Sequence, residues 1–257
     1  MNGTEMTLLA LFILYAIALS AGLMRAGHRA RPVLRADGPS DAPRNRPARI
    51  LIVGATGGTG RQLVAQALER GYVVTALARN PAKLRIAHPQ LTVIQGDVLD
   101  QAAVEVAMRG QQAVVSALGH KRFFWPTRIL SGGTRNLLHA MAACGVRRLV
   151  CETSLGVGDS AGRMGLYYTL FTIPLILPFY FWDKARQERI IAESPVDWVI
   201  VRPGRLTNAG RRGQLRHGPQ VGNWLWTERI SRADVAGFML DQLVSDIYLR
   251  AAPGVAW

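Results

Sequence analysis

The chain has 257 residues, is 49% hydrophobic and carries a net charge of +14. That length suits one large α/β domain with a short appendage better than two independent domains. Two cysteines, Cys144 and Cys151, exclude a disulfide scaffold and are expected as reduced core thiols, and the charge is not interleaved with aromatics as in a single-strand nucleic-acid binder. The histidines (His28, His88, His120, His139 and His217) have no metal-ligand spacing, so no metal site is expected.

The first predicted element is a membrane helix. Met6 to Met24 reads MTLLALFILYAIALSAGLM, nineteen residues without a charge. At about 1.5 Å per residue this spans roughly 28 Å, enough for a bilayer core. A cleaved signal peptide wants a basic start, whereas this chain opens MNGTE. Residues 1–24 are therefore expected to be an anchor. Glu5 precedes the run, and Arg25, Arg29, Arg31 and Arg35 follow it. The positive-inside rule then puts the body of the protein in the cytoplasm. Residues 25–48 read as a flexible basic linker whose arginines suit lipid headgroups.

Arg49 to Val53 (RILIV) is a short apolar run, expected as a buried parallel strand. GATGGTGRQLVAQALERG follows at once, and Thr59 to Arg70 has helical periodicity. Strand, glycine turn and helix together make a dinucleotide fingerprint from Gly54, Thr56, Gly57, Gly58, Thr59 and Gly60. Glycines allow a tight turn and close approach to a pyrophosphate, and the helix start offers free N–H groups to it. The second strand, YVVTALARN, ends at Arg79. An acid there would hold the ribose hydroxyls of NAD, so Arg79, with Lys83 beyond it, favours the 2′-phosphate of NADP. The third strand, LTVIQGDV, delivers Asp97 and Val98 to the adenine end, and the fourth, QQAVVSALG, ends at Leu118 and Gly119. A helix over about 127–143 and a fifth strand, RRLVCETS, ending at Ser154, complete a regular alternation. It predicts an α/β fold of Rossmann type, a doubly wound parallel sheet over residues 49–257.

GATGGTG, LARNPAKL, GDV, the Thr-Ser pair at 153–154 and WVIVRPGRL at 198–206 resemble the atypical and extended short-chain dehydrogenases/reductases. The NmrA-like branch, which includes biliverdin and flavin reductases, is the most similar. The resemblance covers about residues 49–250. It implies cofactor contacts at the end of the 198–206 strand, at Arg202 and Pro203. It also implies a catalytic Ser, Tyr and Lys, met here by Ser154, Tyr180 and Lys184. The lysine would hold the nicotinamide ribose and tune the tyrosine, the tyrosine would exchange the substrate proton, and the serine would orient the acceptor oxygen. Tyr180 and Lys184 are four residues apart and share a helix face. Several NmrA-like members lack this pair and reduce, or only bind, without it.

Met164 to Trp182 is a second uncharged run of nineteen residues. A single crossing there would put two halves of one sheet on opposite sides of the bilayer, and Pro174 and Pro178 break a straight helix. A substrate lid within 155–182, an interfacial segment beside the anchor, a homodimer contact and plain burial stay open for it. From Arg202 to Arg232 stand seven arginines and one glutamate, where a substrate or cofactor phosphate would be met. The reading is a membrane-anchored NADPH-dependent oxidoreductase of a small hydrophobic carbonyl, quinone, flavin or tetrapyrrole-like acceptor. The alternative is a non-catalytic NADP-binding sensor or assembly factor.

Overall fold

The computed structural model describes residues 46–257 and six positions nearer the N-terminus, Met6, Thr7, Leu11, Leu14, Tyr15 and Ala18, which are helical. Otherwise the anchor expected at 6–24 lies outside the described residues, as does the linker expected at 25–48 up to residue 45. Among the described residues no helix is long and apolar enough to cross a membrane.

Strand β1 (Arg49–Val53) is buried except for its first residue. Ile50 and Ile52 enter one core and Leu51 and Val53 the other. A strand that is apolar on both faces belongs in the interior of a parallel sheet with helices on each side. There follow α1 (Gly58–Glu69), β2 (Val73–Ala78), β3 (Leu91–Gln95), α2 (Gln101–Met108), β4 (Ala113–Ser116), α3 (Ile129–Cys144), β5 (Arg148–Glu152), α4 (Pro178–Ala192) and β6 (Asp197–Pro203). The C-terminal part adds β7 (Arg205–Thr207), β8 (Arg216–Gly218), β9 (Arg229–Ser231), α5 (Arg232–Asp241) and β10 (Gly254–Ala256).

The main sheet runs β3-β2-β1-β4-β5-β6-β10-β8. Every pairing is parallel except β10 with β8. Helices α1 and α5 cover one face, and α2, α3 and α4 cover the other. The order of winding reverses between β1 and β4, which opens a crevice at the carboxyl ends of the strands. The expected parallel α/β sheet is therefore the observed one.

Helix α4 departs from the pattern of a helix packed on a sheet. Its buried face carries Asp183, Lys184, Gln187 and Glu188 beside Phe181 and Ile191. Asp183 reaches across to α3. The N–H groups of Leu130 and Ser131 donate to its carboxylate at 2.9 and 3.2 Å, and the Ser131 hydroxyl donates as well. Arg128 stands at the N-cap of α3 and gives it no side-chain cap. The neighbouring helix supplies the missing acceptors instead. One turn further along α3, Thr134 Oγ1 accepts from Gln187 Nε2 at 3.0 Å.

The second apolar run divides in two. Tyr168–Ile176 is a wide π-helical segment containing Pro174, and Pro178 begins α4. A proline has no N–H to continue the ladder, so the run cannot be one straight helix. Ile173 and Phe181 are buried with Leu155, Val157, Met164 and Val221 in a small third core. Leu166, Tyr167, Leu170, Phe171, Leu175 and Ile176 are exposed. Cys151 is buried in β5, but Cys144, expected in the core, is exposed. It is the last residue of α3, where the chain turns back at Gly145 with φ +69°.

Asp183→Ala would leave the first turn of α3 without its acceptors inside the protein. The unfolding free energy should fall by about 2–3 kcal/mol, read as a lower urea midpoint. An unchanged midpoint would mean that water caps α3 as well as the carboxylate does.

Candidate functional site

Residues 54–57 join β1 to α1, whose first turn holds Gly58 and Gly60, at the mouth of the crevice. Gly54 has φ +82°, and a Cβ there would strike the carbonyl of Ala117, just past the end of β4. A Cβ on Gly60 would strike the carbonyl of Gly54. Gly57 is the N-cap of α1 and leaves its N–H groups without a side-chain acceptor, and no acid stands in the first turn. A bare helix start reached through a glycine backbone is a phosphate cradle. Gly54, Thr56, Gly57, Gly58 and Gly60 thus fit the pyrophosphate of a dinucleotide. Thr59 offers only its backbone, because its hydroxyl turns inward and donates to Glu152 Oε1 at 3.1 Å.

Arg79 and Lys83 stand exposed past the end of β2, which closes at Ala78, one residue earlier than expected. Neither side chain has a partner among the described residues. Asp97 follows β3 and accepts from the Leu99 N–H at 3.0 Å, which shapes the corner. The Val98 side chain is buried against Gly133 of α3, and its carbonyl accepts from Asn136 Nδ2 at 3.0 Å.

Arg202 does not face the crevice as expected. It is buried, and its Nε and Nη2 donate to Glu188 Oε1 and Oε2 at 3.0 and 2.7 Å, while Nη1 pairs with Asp159. Burial works against its charge, but the two carboxylates outweigh it and hold the guanidinium above its ordinary value. A buried guanidinium must find acceptors within the protein, and here they lie on α4 and the loop after β5. Pro203 is likewise taken into the sheet, in register with Val255, and its carbonyl accepts from Leu155. The arginine that the fold brings to the glycine turn is Arg232, the first residue of α5. Its Cδ and Nε lie against Gly58, where a Cβ would stand. Its Nη1 donates to Asn208 Oδ1 at 2.6 Å. The sequence reading placed Arg202 among the cofactor contacts and did not single out Arg232, which the fold sets beside the glycine turn.

The chemical end of the crevice lies beyond β4 and β5. Leu118 is half-buried and Gly119 exposed. The Tyr180 hydroxyl sits 3.6 Å from where a Cβ of Gly119 would be. Its ring meets His120 and Phe123 edge-on, with centroids 4.9 and 5.8 Å away. His120 is held at both nitrogens: the Arg122 N–H donates to Nδ1 at 3.2 Å, and Thr127 Oγ1 lies 3.0 Å from Nε2. Burial first, with Lys184 and Arg122 adding to it against Asp183, keeps His120 below its ordinary value of 6.5, hence neutral at pH 7.

Lys184 is buried one turn after Tyr180. Its Nζ donates to the Thr153 carbonyl at 3.0 Å and stands 5.2 Å from the Tyr180 ring centroid. Thr153 Oγ1 donates to Glu188 Oε1 at 2.6 Å. Ser154 is the next residue and is half-buried. Tyr180, Lys184 and the Thr153–Ser154 corner therefore meet at one end of the crevice beside Gly119. Burial pushes the Cys151 thiol up to about 12, so it is no nucleophile here.

Glu152 was missed by sequence reasoning. It ends β5, is buried and takes the Thr59 hydroxyl, so it ties the glycine turn to the strand that carries Thr153. Burial raises its carboxyl, against the opposing pull of Lys184, the Thr59 hydroxyl and Arg232. The signal was present as an acid inside the apolar strand RRLVCETS.

The family described as NAD(P)H-binding matches residues 54–246. An uncharacterized chloroplastic protein of Arabidopsis thaliana is 30% identical over 213 residues, covering 77% of this chain and 72% of its own. A 3 beta-hydroxysteroid dehydrogenase/Delta 5→4-isomerase of Mycobacterium tuberculosis is 37% identical over 186 residues, covering 65% of this chain but only 50% of the relative. Among solved structures, a short-chain dehydrogenase/reductase of Veillonella parvula in complex with NADP aligns with a TM-score of 0.70 at 19% identity, over 82% of this chain and 95% of that one. An anaerobilin reductase of Escherichia coli aligns with a TM-score of 0.67 at 22% identity, over 81% and 96%. At these identities the two structures speak for the fold alone.

Glu152 holds its proton more tightly in the folded chain than in the unfolded one. The stability this contributes is complete below its ordinary value of 4.5 and is lost as pH rises through the raised folded value. Glu152→Gln keeps an acceptor for Thr59 and should flatten that fall in a series of urea midpoints across pH. Parallel curves for variant and parent would show that this carboxyl does not govern the slope.

Proposed function

We propose that the chain, which belongs to the NAD(P)H-binding family, is an NADPH-dependent oxidoreductase of a hydrophobic carbonyl, quinone, flavin or tetrapyrrole-like acceptor. The observation that carries this reading is the Tyr180 hydroxyl beside Gly119, with Lys184 one turn below it on the Thr153 carbonyl. A relative named as a steroid dehydrogenase is in keeping with a flat, lipophilic acceptor. The chain spans half the length of the steroid enzyme, and the acceptor is argued from the site.

NADPH, when bound, supplies hydride. Gly54, Gly57, Gly58 and Gly60 would cradle its pyrophosphate with Arg232 above them, and Arg79 and Lys83 would take the 2′-phosphate. Tyr180 gives a proton to the acceptor oxygen, Ser154 orients that oxygen, and Lys184 would hold the nicotinamide ribose. Lys184 is fixed by Thr153, and Thr153 by Glu188, so neither end of the proton donor's support is mobile. Residues 6–24 anchor the protein to a bilayer, with the arginines that follow them keeping the catalytic body on the cytoplasmic side.

Two measurements test this reading. Detergent-solubilised full-length protein should oxidise NADPH in the presence of a quinone, flavin or aldehyde from a test panel. Tyr180→Phe should lower that turnover by roughly 10²–10⁴ while NADPH affinity stays near the parent's. Unaltered turnover in Tyr180→Phe would remove Tyr180 as proton donor. The second measurement concerns the cofactor alone. The parent should bind NADPH more tightly than NADH, and Arg79→Ala should erase most of that preference, worth on the order of 1.5–3 kcal/mol. Equal affinities in the parent would defeat the 2′-phosphate assignment.

A further inference from the structure

Four of the six tryptophans of this chain stand out in solvent. Trp125, Trp182, Trp224 and Trp226 are 74%, 52%, 67% and 62% exposed, whereas Trp198 is 7% exposed. They come from three separate stretches of sequence that the fold draws together. Leu166 N–H donates to the Leu225 carbonyl at 3.3 Å, and Thr227 Oγ1 donates to the Met164 carbonyl at 2.9 Å. Gly165 lies so close to the backbone of Trp226 that a Cβ would not fit. The 123–125 loop joins through Phe123, whose ring packs on Tyr180 in the first turn of α4.

The apolar tips are held out rather than left loose. Asn223 Oδ1 accepts from the N–H groups of Leu225 and Trp226 at 2.8 and 3.4 Å, an Asx turn that presents Trp224, Leu225 and Trp226 at its apex. Tyr167 stacks on Phe171 at 6.1 Å, and both are exposed. The Arg186 guanidinium lies 4.4 Å over the Trp182 ring. An exposed apolar surface of this extent has an occupant.

Charge selects that occupant. Residues 121–128, 163–182 and 219–227 contain Lys121, Arg122, Arg128 and Arg163 and no carboxylate. A second copy docked about a two-fold axis would set like charges against each other. An anionic bilayer meets both features, because tryptophan and tyrosine settle at the headgroup boundary and basic residues face the lipid phosphates.

We infer that these three stretches form one interfacial platform for an anionic lipid bilayer, and that the hydrophobic acceptor reaches Tyr180 from it. Only the second clause rests on the oxidoreductase reading. The platform goes beyond the N-terminal anchor, because it orients the body of the protein on the membrane.

The test uses the full-length chain in vesicles of phosphatidylglycerol and phosphatidylcholine with brominated acyl chains. The run at 6–24 contains no tryptophan, so it adds no emission of its own. Bromine should quench the larger part of the tryptophan emission, and aqueous iodide should lose access to it. A Trp224→Ser, Trp226→Ser double variant should lose a large share of the bromine effect, with Trp125 and Trp182 supplying what remains and NADPH binding unchanged. Emission that stays open to iodide and insensitive to bromine overturns the platform. So does shielding from iodide without lipid that grows with protein concentration, which would assign the surface to a second copy. Equal quenching in phosphatidylcholine alone overturns the selectivity for anionic lipid. Turnover of a short-chain, water-soluble quinone tests the catalytic reading separately, so either idea can fall without the other.

Discussion

Burying a charge without a partner is among the most costly things a fold can do, and α4 buries several. Asp183, Lys184, Gln187 and Glu188 all point into the protein. Each has a defined partner: Asp183 accepts from the start of α3, Lys184 donates to the Thr153 carbonyl, Gln187 donates to Thr134, and Glu188 accepts from Arg202 and Thr153. Because none of these groups can return to water, the helix has one rotation and one height along its axis. Tyr180 is placed by that constraint, one turn before Lys184 on a helix that cannot slide. The same polar stripe that weakens the apolar pattern of α4 makes it a rigid mount for a reacting group.

Two kinds of environment meet at Tyr180. On one side lie the glycine turn, Arg232 and the strand ends, a polar edge built from backbone N–H groups and fixed cations. On the other lie Phe123 and the small third core that holds Ile173 and Val221. Glu152 links the polar edge to the sheet below it, since its carboxyl receives Thr59 from the turn while its strand carries Thr153. A reactant that is apolar over most of its surface and polar at one oxygen suits such a boundary. The wide π-helical backbone around Pro174 keeps Ile173 packed in the third core while leaving Leu170, Phe171 and Leu175 outward. Segments of that geometry recur at functional sites because they break regular packing.

Elements whose causes are local were legible in the residues alone. RILIV is a buried parallel strand because it is apolar at every position, and GATGGTG is a tight turn because only glycine accepts φ +82° at Gly54 against the Ala117 carbonyl. Tyr180 and Lys184 share a face because helices repeat every few residues. The tertiary structure decided what depends on partners far along the chain. Arg202 and Arg232 are the same residue type in the same basic cluster. One is buried on Glu188 and the other lies across Gly58, a choice made by strand β6 entering the sheet and α5 starting at its edge. Asp183 caps a helix more than fifty residues earlier. The tryptophan platform gathers three stretches that no periodicity connects. Side-chain pattern fixes which face of an element is apolar, but which partner meets a buried charge, and which apolar residues stay outside, is settled only when the layers close.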